Sequence, residues 1–219
     1  MYQQESDARV SAKTTLVKDL GNGRPLSGRF TADGSTIYIA DAVLGLLRVR
    51  NPFEKTSKVE IIASSVMDGD ERTPFNFLDD ITIGPKTGKV YFTDASTVLP
   101  PRNVAYDLTY DVMYASKVDA LKGAATGRLL EYDPATDEIR ILARNLSFAN
   151  GVAVDQQEQY LIFAETFLLK IGKYFLTGDR KGQIEYIING HPSPACKSMG
   201  IVCLSDAALD SILVAPSCS

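Results

Sequence analysis

Apolar and polar positions along the chain repeat one unit three times. In each copy a polar turn leads into a short apolar strand that ends on an acidic residue: 31–41 (TADGSTIYIAD), 84–94 (GPKTGKVYFTD) and 155–165 (DQQEQYLIFAE). One short strand precedes each of these, at 28–30, 80–83 and 151–154. Two follow, at 45–49 and 59–63, at 127–132 and 139–143, and at 170–175 and 183–188. Runs of this length, rich in Val, Ile, Tyr and Phe and bounded by Asp, Gly, Pro and Asn, predict strands joined by tight turns. Four such strands per unit, recurring at a period near fifty, predict the blades of a β-propeller. Residues 13–19 read as the outer strand left from a preceding blade.

The terminal acids Asp41, Asp94 and Glu165 lie 53 and 71 positions apart, and the longer gap holds an insertion at 97–125. It opens on Pro100-Pro101 and places Tyr106, Tyr110 and Tyr114 at i, i+4 and i+8, on one face of a short helix. Two readings stand side by side: a helix packed flat on the blades, or a lid whose three tyrosines line a substrate pocket. The chain thus divides into a polar segment at 1–12, a partial propeller at 13–189 carrying the insertion, and a tail at 190–219 that does not continue the pattern. Three repeats are fewer than the four blades of the smallest closed propeller. The expectation is an isolated chain that is unstable, aggregating or dependent on a partner.

Composition narrows the function. A formal charge of −4 without basic runs argues against a nucleic-acid partner. No stretch approaches the ~18 apolar residues of a membrane span, and the polar start has no signal-peptide core; localisation stays open. Cys196, Cys203 and Cys218 fit neither a disulfide framework nor a zinc site. The sole histidine, His191, lies in the tail, so no histidine relay is available within the repeats. Recurrence of Asp41, Asp94 and Glu165 at one place in every blade points to a structural turn role, since a catalytic group would be unique to one blade.

The segment 148–154 (FANGVAV), running on to 163–166 (FAET), together with 23–26 (GRPL), 39–42 (IADA), 45–47 (GLL), 90–94 (VYFTD) and 126–130 (TGRLL), resembles the strictosidine synthase-like proteins. The resemblance covers 20–188 and is closer to the animal membrane-associated branch than to the plant alkaloid enzymes. It implies an all-β, six-bladed propeller related to the paraoxonases and gluconolactonases, of which about three blades, a remnant strand and a short helical insertion are present.

It further implies calcium in the channel mouth, held by Asn and Asp side chains at strand starts; oxygen donors suit this hard cation. Asn150 falls on such a position, and Asp79 matches an acidic position of the family. Asn150 has an equally good reading as a turn residue before Gly151. One blade earlier the resemblance equates Asn150 with Leu78, which cannot ligate. The implied activity is calcium-dependent hydrolysis of an ester or lactone, arylesterase-like, and absent from this chain alone. A non-catalytic binding module and a fragment without function are the alternatives. Alkaloid condensation is disfavoured, because its glutamate belongs to a late blade and the chain has no Trp to stack on an indole.

Overall fold

A computed structural model describes residues 18–97, 117, 119–123 and 125–189. Three four-stranded antiparallel sheets follow one another along the chain. The first holds β1 (Pro25–Phe30), β2 (Thr36–Asp41), β3 (Gly45–Arg50) and β4 (Val59–Ala63). A hairpin of β5 (Ser65–Asp68) and β6 (Glu71–Pro74) intervenes. The second sheet holds β7 (Leu78–Ile83), β8 (Val90–Asp94), β9 (Gly127–Asp133) and β10 (Glu138–Leu146). The third holds β11 (Ala149–Val154), β12 (Tyr160–Glu165), β13 (Lys170–Phe175) and β14 (Ile184–Ile188).

Local chemistry accounts for the turns. In the first, Asp33 accepts from Thr31 Oγ1 and Ser35 N–H, and Gly34 takes φ +71°, where a Cβ is unfavourable. The third turn has no glycine. There Asp155 accepts from the N–H groups of Gln157, Gln159 and Tyr160, closing the bend with one side chain. The β5–β6 hairpin was not expected from the sequence; Gly69, at φ +66°, opens its two-residue turn.

The sheets pack face to face, and β8 shows how the period of two serves both seams. Its Val90 and Phe92 meet Tyr38, Ala40 and Leu46 of the first sheet. Its Tyr91 turns the other way and joins Leu129, Val152, Leu161 and Phe163 in the second seam. All five residues of β8 are therefore buried. Polar links cross the seams too: Arg48 Nη1 donates to Tyr132 Oη at 3.3 Å, and Glu158 accepts from the N–H groups of Lys86 and Thr87.

Tyr106, Tyr110 and Tyr114, the remnant strand up to residue 17, and the tail with His191 and the three cysteines lie outside the described residues. Of the insertion, residues 117 and 119–122 are helical.

Candidate functional site

The inner strands β1, β7 and β11 lie against one another, and Asp80 joins all three. Ser27 Oγ of β1 donates to its Oδ1 at 2.6 Å, and Val152 N–H of β11 donates to its Oδ2 at 2.9 Å. Thr93 Oγ1 accepts from the Asp80 N–H and donates to the Asn150 carbonyl. With both oxygens engaged, Asp80 holds the strand starts in place.

Each inner strand carries a bulge at the same point, between Pro25 and Ser27, Leu78 and Ile81, and Ala149 and Val152. Bulges release residues from the ladder and re-aim their side chains, and they gather near active sites. The register fixes which residues correspond. Pro25 pairs with Asp41, Leu78 with Asp94, and Ala149 with Glu165. The next residue along is Leu26, Asp79 and Asn150 in turn.

This corrects the expectation for Leu78. It is not the counterpart of Asn150 but of Ala149, and it is fully buried in the first seam. The counterpart of Asn150 is Asp79. The unpaired bulge residues carry no period that sequence reading could count, which is why the equivalence slipped by one.

Asp79 and Asn150 are both half-buried. Among the described residues neither side chain takes a hydrogen bond or ion pair, unlike the neighbouring Asp80. Burial, with the adjacent Asp80 carboxylate as the smaller cause, pushes the Asp79 carboxyl up to about 7. Beside these strand starts Phe77, Ala95 and Phe148 form a buried apolar cluster with Leu26 and Phe167 against it. The Phe77 and Phe148 rings lie 5.3 Å apart and those of Phe148 and Phe167 4.5 Å apart. Phe148 holds φ +57°, a strained value for a residue with a side chain. Neither this aromatic cluster nor the role of Asp80 was anticipated from the sequence. The signal available was Phe77 and Phe148 preceding the two inner strands at equivalent places.

The recurring acids are structural. Asp41 Oδ1 accepts from the N–H groups of Val43 and Leu44. Asp94 accepts from Phe77 N–H and pairs with Arg128. Glu165 accepts from Ser147 N–H and the Tyr186 hydroxyl. In every blade the carboxylate ties down backbone or a buried partner.

The Asp79 titration has a consequence for stability. An unfolded Asp ionises near 3.9, so between that pH and about 7 the native chain holds a proton that the unfolded chain has lost. Stability is greatest below the unfolded value and falls as pH rises through 7. Urea unfolding is expected to show a loss of about 1–2 kcal/mol from pH 5 to pH 8, after allowing for solvent screening. Asp79→Asn should flatten that part of the profile. A slope unchanged in the variant would place the titration elsewhere.

Comparison with known proteins agrees with the sheet architecture. A family model described as strictosidine synthase matches residues 79–179. The adipocyte plasma membrane-associated protein of Gallus gallus is 32% identical over 170 residues, covering 78% of this chain and 37% of that protein. Strictosidine synthase-like protein 6 of Arabidopsis thaliana is 35% identical over 184 residues, covering 83% of this chain and 43% of that one. The chain belongs to the strictosidine synthase-like family. The three sheets are accordingly blades of a β-propeller. A solved nidogen/laminin complex contains a chain that superposes with TM-score 0.50 at 11% identity, over 81% of this chain and 50% of that one, a likeness of fold alone. This strictosidine synthase-like chain spans about two fifths of the length of the curated relatives it matches.

Proposed function

We propose that this strictosidine synthase-like chain carries part of the mouth of a calcium-dependent ester or lactone hydrolase of arylesterase type. The observation that carries the reading is the register equivalence of Asp79 and Asn150. They sit at the same bulged position of two touching inner strands, and both side chains lack partners among the described residues. A carboxylate and an amide are the oxygen donors that calcium takes. Held there, the cation would serve as a Lewis acid toward an ester or lactone carbonyl.

The chain's own part is to present Asp79 ionised. Its carboxyl titrates at about 7, so calcium binding must release a proton below that pH and strengthen above it. Asp80 and Thr93 keep the two strand starts in register. The apolar cluster of Phe77 and Phe148 offers a desolvating neighbour for the acyl or aryl group of a substrate. Two side chains are a minority of the six to eight donors calcium prefers. The 219-residue chain is therefore expected to bind calcium weakly and to show no measurable turnover alone.

The test is thermal unfolding of this chain with calcium and with chelator at pH 6 and pH 8. Calcium in about hundredfold excess over Kd should stabilise by about 2.7 kcal/mol, more readily at pH 8. Asp79→Asn and Asn150→Ala should each abolish the shift, and Leu78→Asn should not enhance it. A melting curve indifferent to calcium would favour a non-catalytic propeller module that binds a small molecule or a protein.

A further inference from the structure

Connections leave the sheets after Asp41, Asp94 and Glu165, all at the end where the inner strands start. In the first sheet the turn is 42–44. Its Val43 and Leu44 are half-buried, and Leu44 packs back against Ile39, Leu47 and Val49. Gly45 supplies the positive φ at its close, +97°. The turn of the third sheet, 166–169, ends instead on Leu169 at φ +50°, where a side chain crowds the backbone.

Six non-glycine residues among those described hold a positive φ, and five of them have a local reason. Asn51, Asp137 and Asn145 are of the types that tolerate it. Phe148 packs its ring against Phe77 and Phe167, and Glu158 is buried with its carboxylate taking the N–H groups of Lys86 and Thr87. Leu169 has neither reason. It is 59% exposed and the adjacent Leu168 is 44% exposed. A leucine that is both strained and left in water adds nothing to the fold, and such outliers mark functional contacts.

A second segment projects at the same end. Ser96 donates to the buried carboxylate of Asp119, which fixes the helical residues 119–122 at the end of the second sheet. Their Leu121 is 88% exposed, more than any other large apolar residue among those described. Cations adjoin the leucines in both segments. Lys122 follows Leu121, and Lys170 follows Leu169. The acids of the same segments are withdrawn, Asp119 onto Ser96 and Glu165 onto Ser147 and Tyr186. The β5–β6 hairpin differs in character, since Asp70 and Glu71 are exposed at its tip. At the opposite end of the sheets the exposed Phe30 and Phe53 cover each other, their rings 5.7 Å apart and stacked.

We infer that the end bearing these two segments docks on the surface of an anionic lipid bilayer. Leu121, Leu168 and Leu169 enter below the headgroups, and Lys122 and Lys170 stay at the level of the phosphates. Apolar tips with cations directly behind them match a surface that is negatively charged outside and apolar beneath. A protein partner is the poorer match, because lysine is depleted from the cores of protein interfaces. Insertion also gives Leu169 the burial that the fold denies it. The contact needs neither calcium nor hydrolysis.

Cosedimentation of the full chain with vesicles, in the presence of chelator, tests this. Vesicles of phosphatidylcholine and phosphatidylserine should carry the chain down. Phosphatidylcholine alone should bind it several-fold less, and added salt should release it. Leu168→Asn combined with Leu169→Asn should weaken binding about tenfold or more. Asparagine tolerates the backbone of Leu169, so this variant should keep the wild-type circular dichroism and melt no lower than wild type. Phe53→Ser, at the opposite end, should bind as wild type does. A wild-type chain left in the supernatant would overturn the inference and assign the leucines to a protein partner. A double variant that binds undiminished would overturn it too, and a lowered melting point in that variant would make the leucines structural. An equal loss from Phe53→Ser would overturn the orientation.

Discussion

Arg128→Ala is expected to lower the unfolding free energy by about 3–5 kcal/mol, the cost of leaving a buried carboxylate without its partner. Arg128 is 2% exposed and Asp94 is fully buried, with Nη2 to Oδ2 at 2.5 Å. The same guanidinium donates to Thr73 Oγ1 and the Pro74 carbonyl, which fastens the β5–β6 hairpin over the first seam. Burial already pushes the Asp94 carboxyl up, against the pull of Arg128. Removing the arginine leaves that burial opposed only by backbone N–H donors such as Phe77, so Asp94 protonates or the site opens to water. Equilibrium unfolding in urea measures the loss. Adding Asp94→Asn should recover part of it, because the stranded charge is then gone. The hairpin should also become the first point of proteolytic cleavage, at the Gly69-Asp70 turn. A variant with wild-type stability and an uncut hairpin would show that the pair contributes nothing net.

Phe163→Ala should cost a similar amount, about 3–5 kcal/mol. The ring is fully buried in the second seam and lies over Gly172 of the adjacent strand. A Cβ built on Gly172 would stand 2.3 Å from the ring, so the glycine is what makes room for it. Truncation exposes bare backbone beneath an empty volume, with no neighbouring side chain on that side to collapse into it. Phe163→Leu fills most of the space and should cost less than half as much. Unfolding midpoints for the two variants check the order, and equal losses would mean that the seam relaxes freely.

How far the sequence was legible depends on whether a residue lay inside the period. The twelve strands of the three sheets could be read, because alternation of apolar residues between Asp, Gly and Asn turns is local information. The β5–β6 hairpin escaped because Glu71–Pro74 is almost wholly polar and exposed, with only the Gly69 turn to mark it. Asp79 and Asn150 were singled out, yet their mutual equivalence was missed, since a bulge breaks the count that period reading relies on. The Asp94–Arg128 pair spans the insertion and joins β8 to β9, a contact made by topology. The three ties of Asp80 are likewise products of blade packing, and nothing within a single repeat announces them.

The bulge also separates two kinds of heritable change. In every blade the first residue of the inner strand, Pro25, Leu78 or Ala149, is held in the ladder opposite the conserved-in-kind acid. The residue after it, released from pairing, is leucine in one blade, aspartate in the next and asparagine in the third. A lineage can rewrite that one position blade by blade, changing the charge and donor set at the centre, while the ladders on either side go on specifying the same ring. Old chemistry can be erased and new chemistry tried there without the architecture having to be rediscovered.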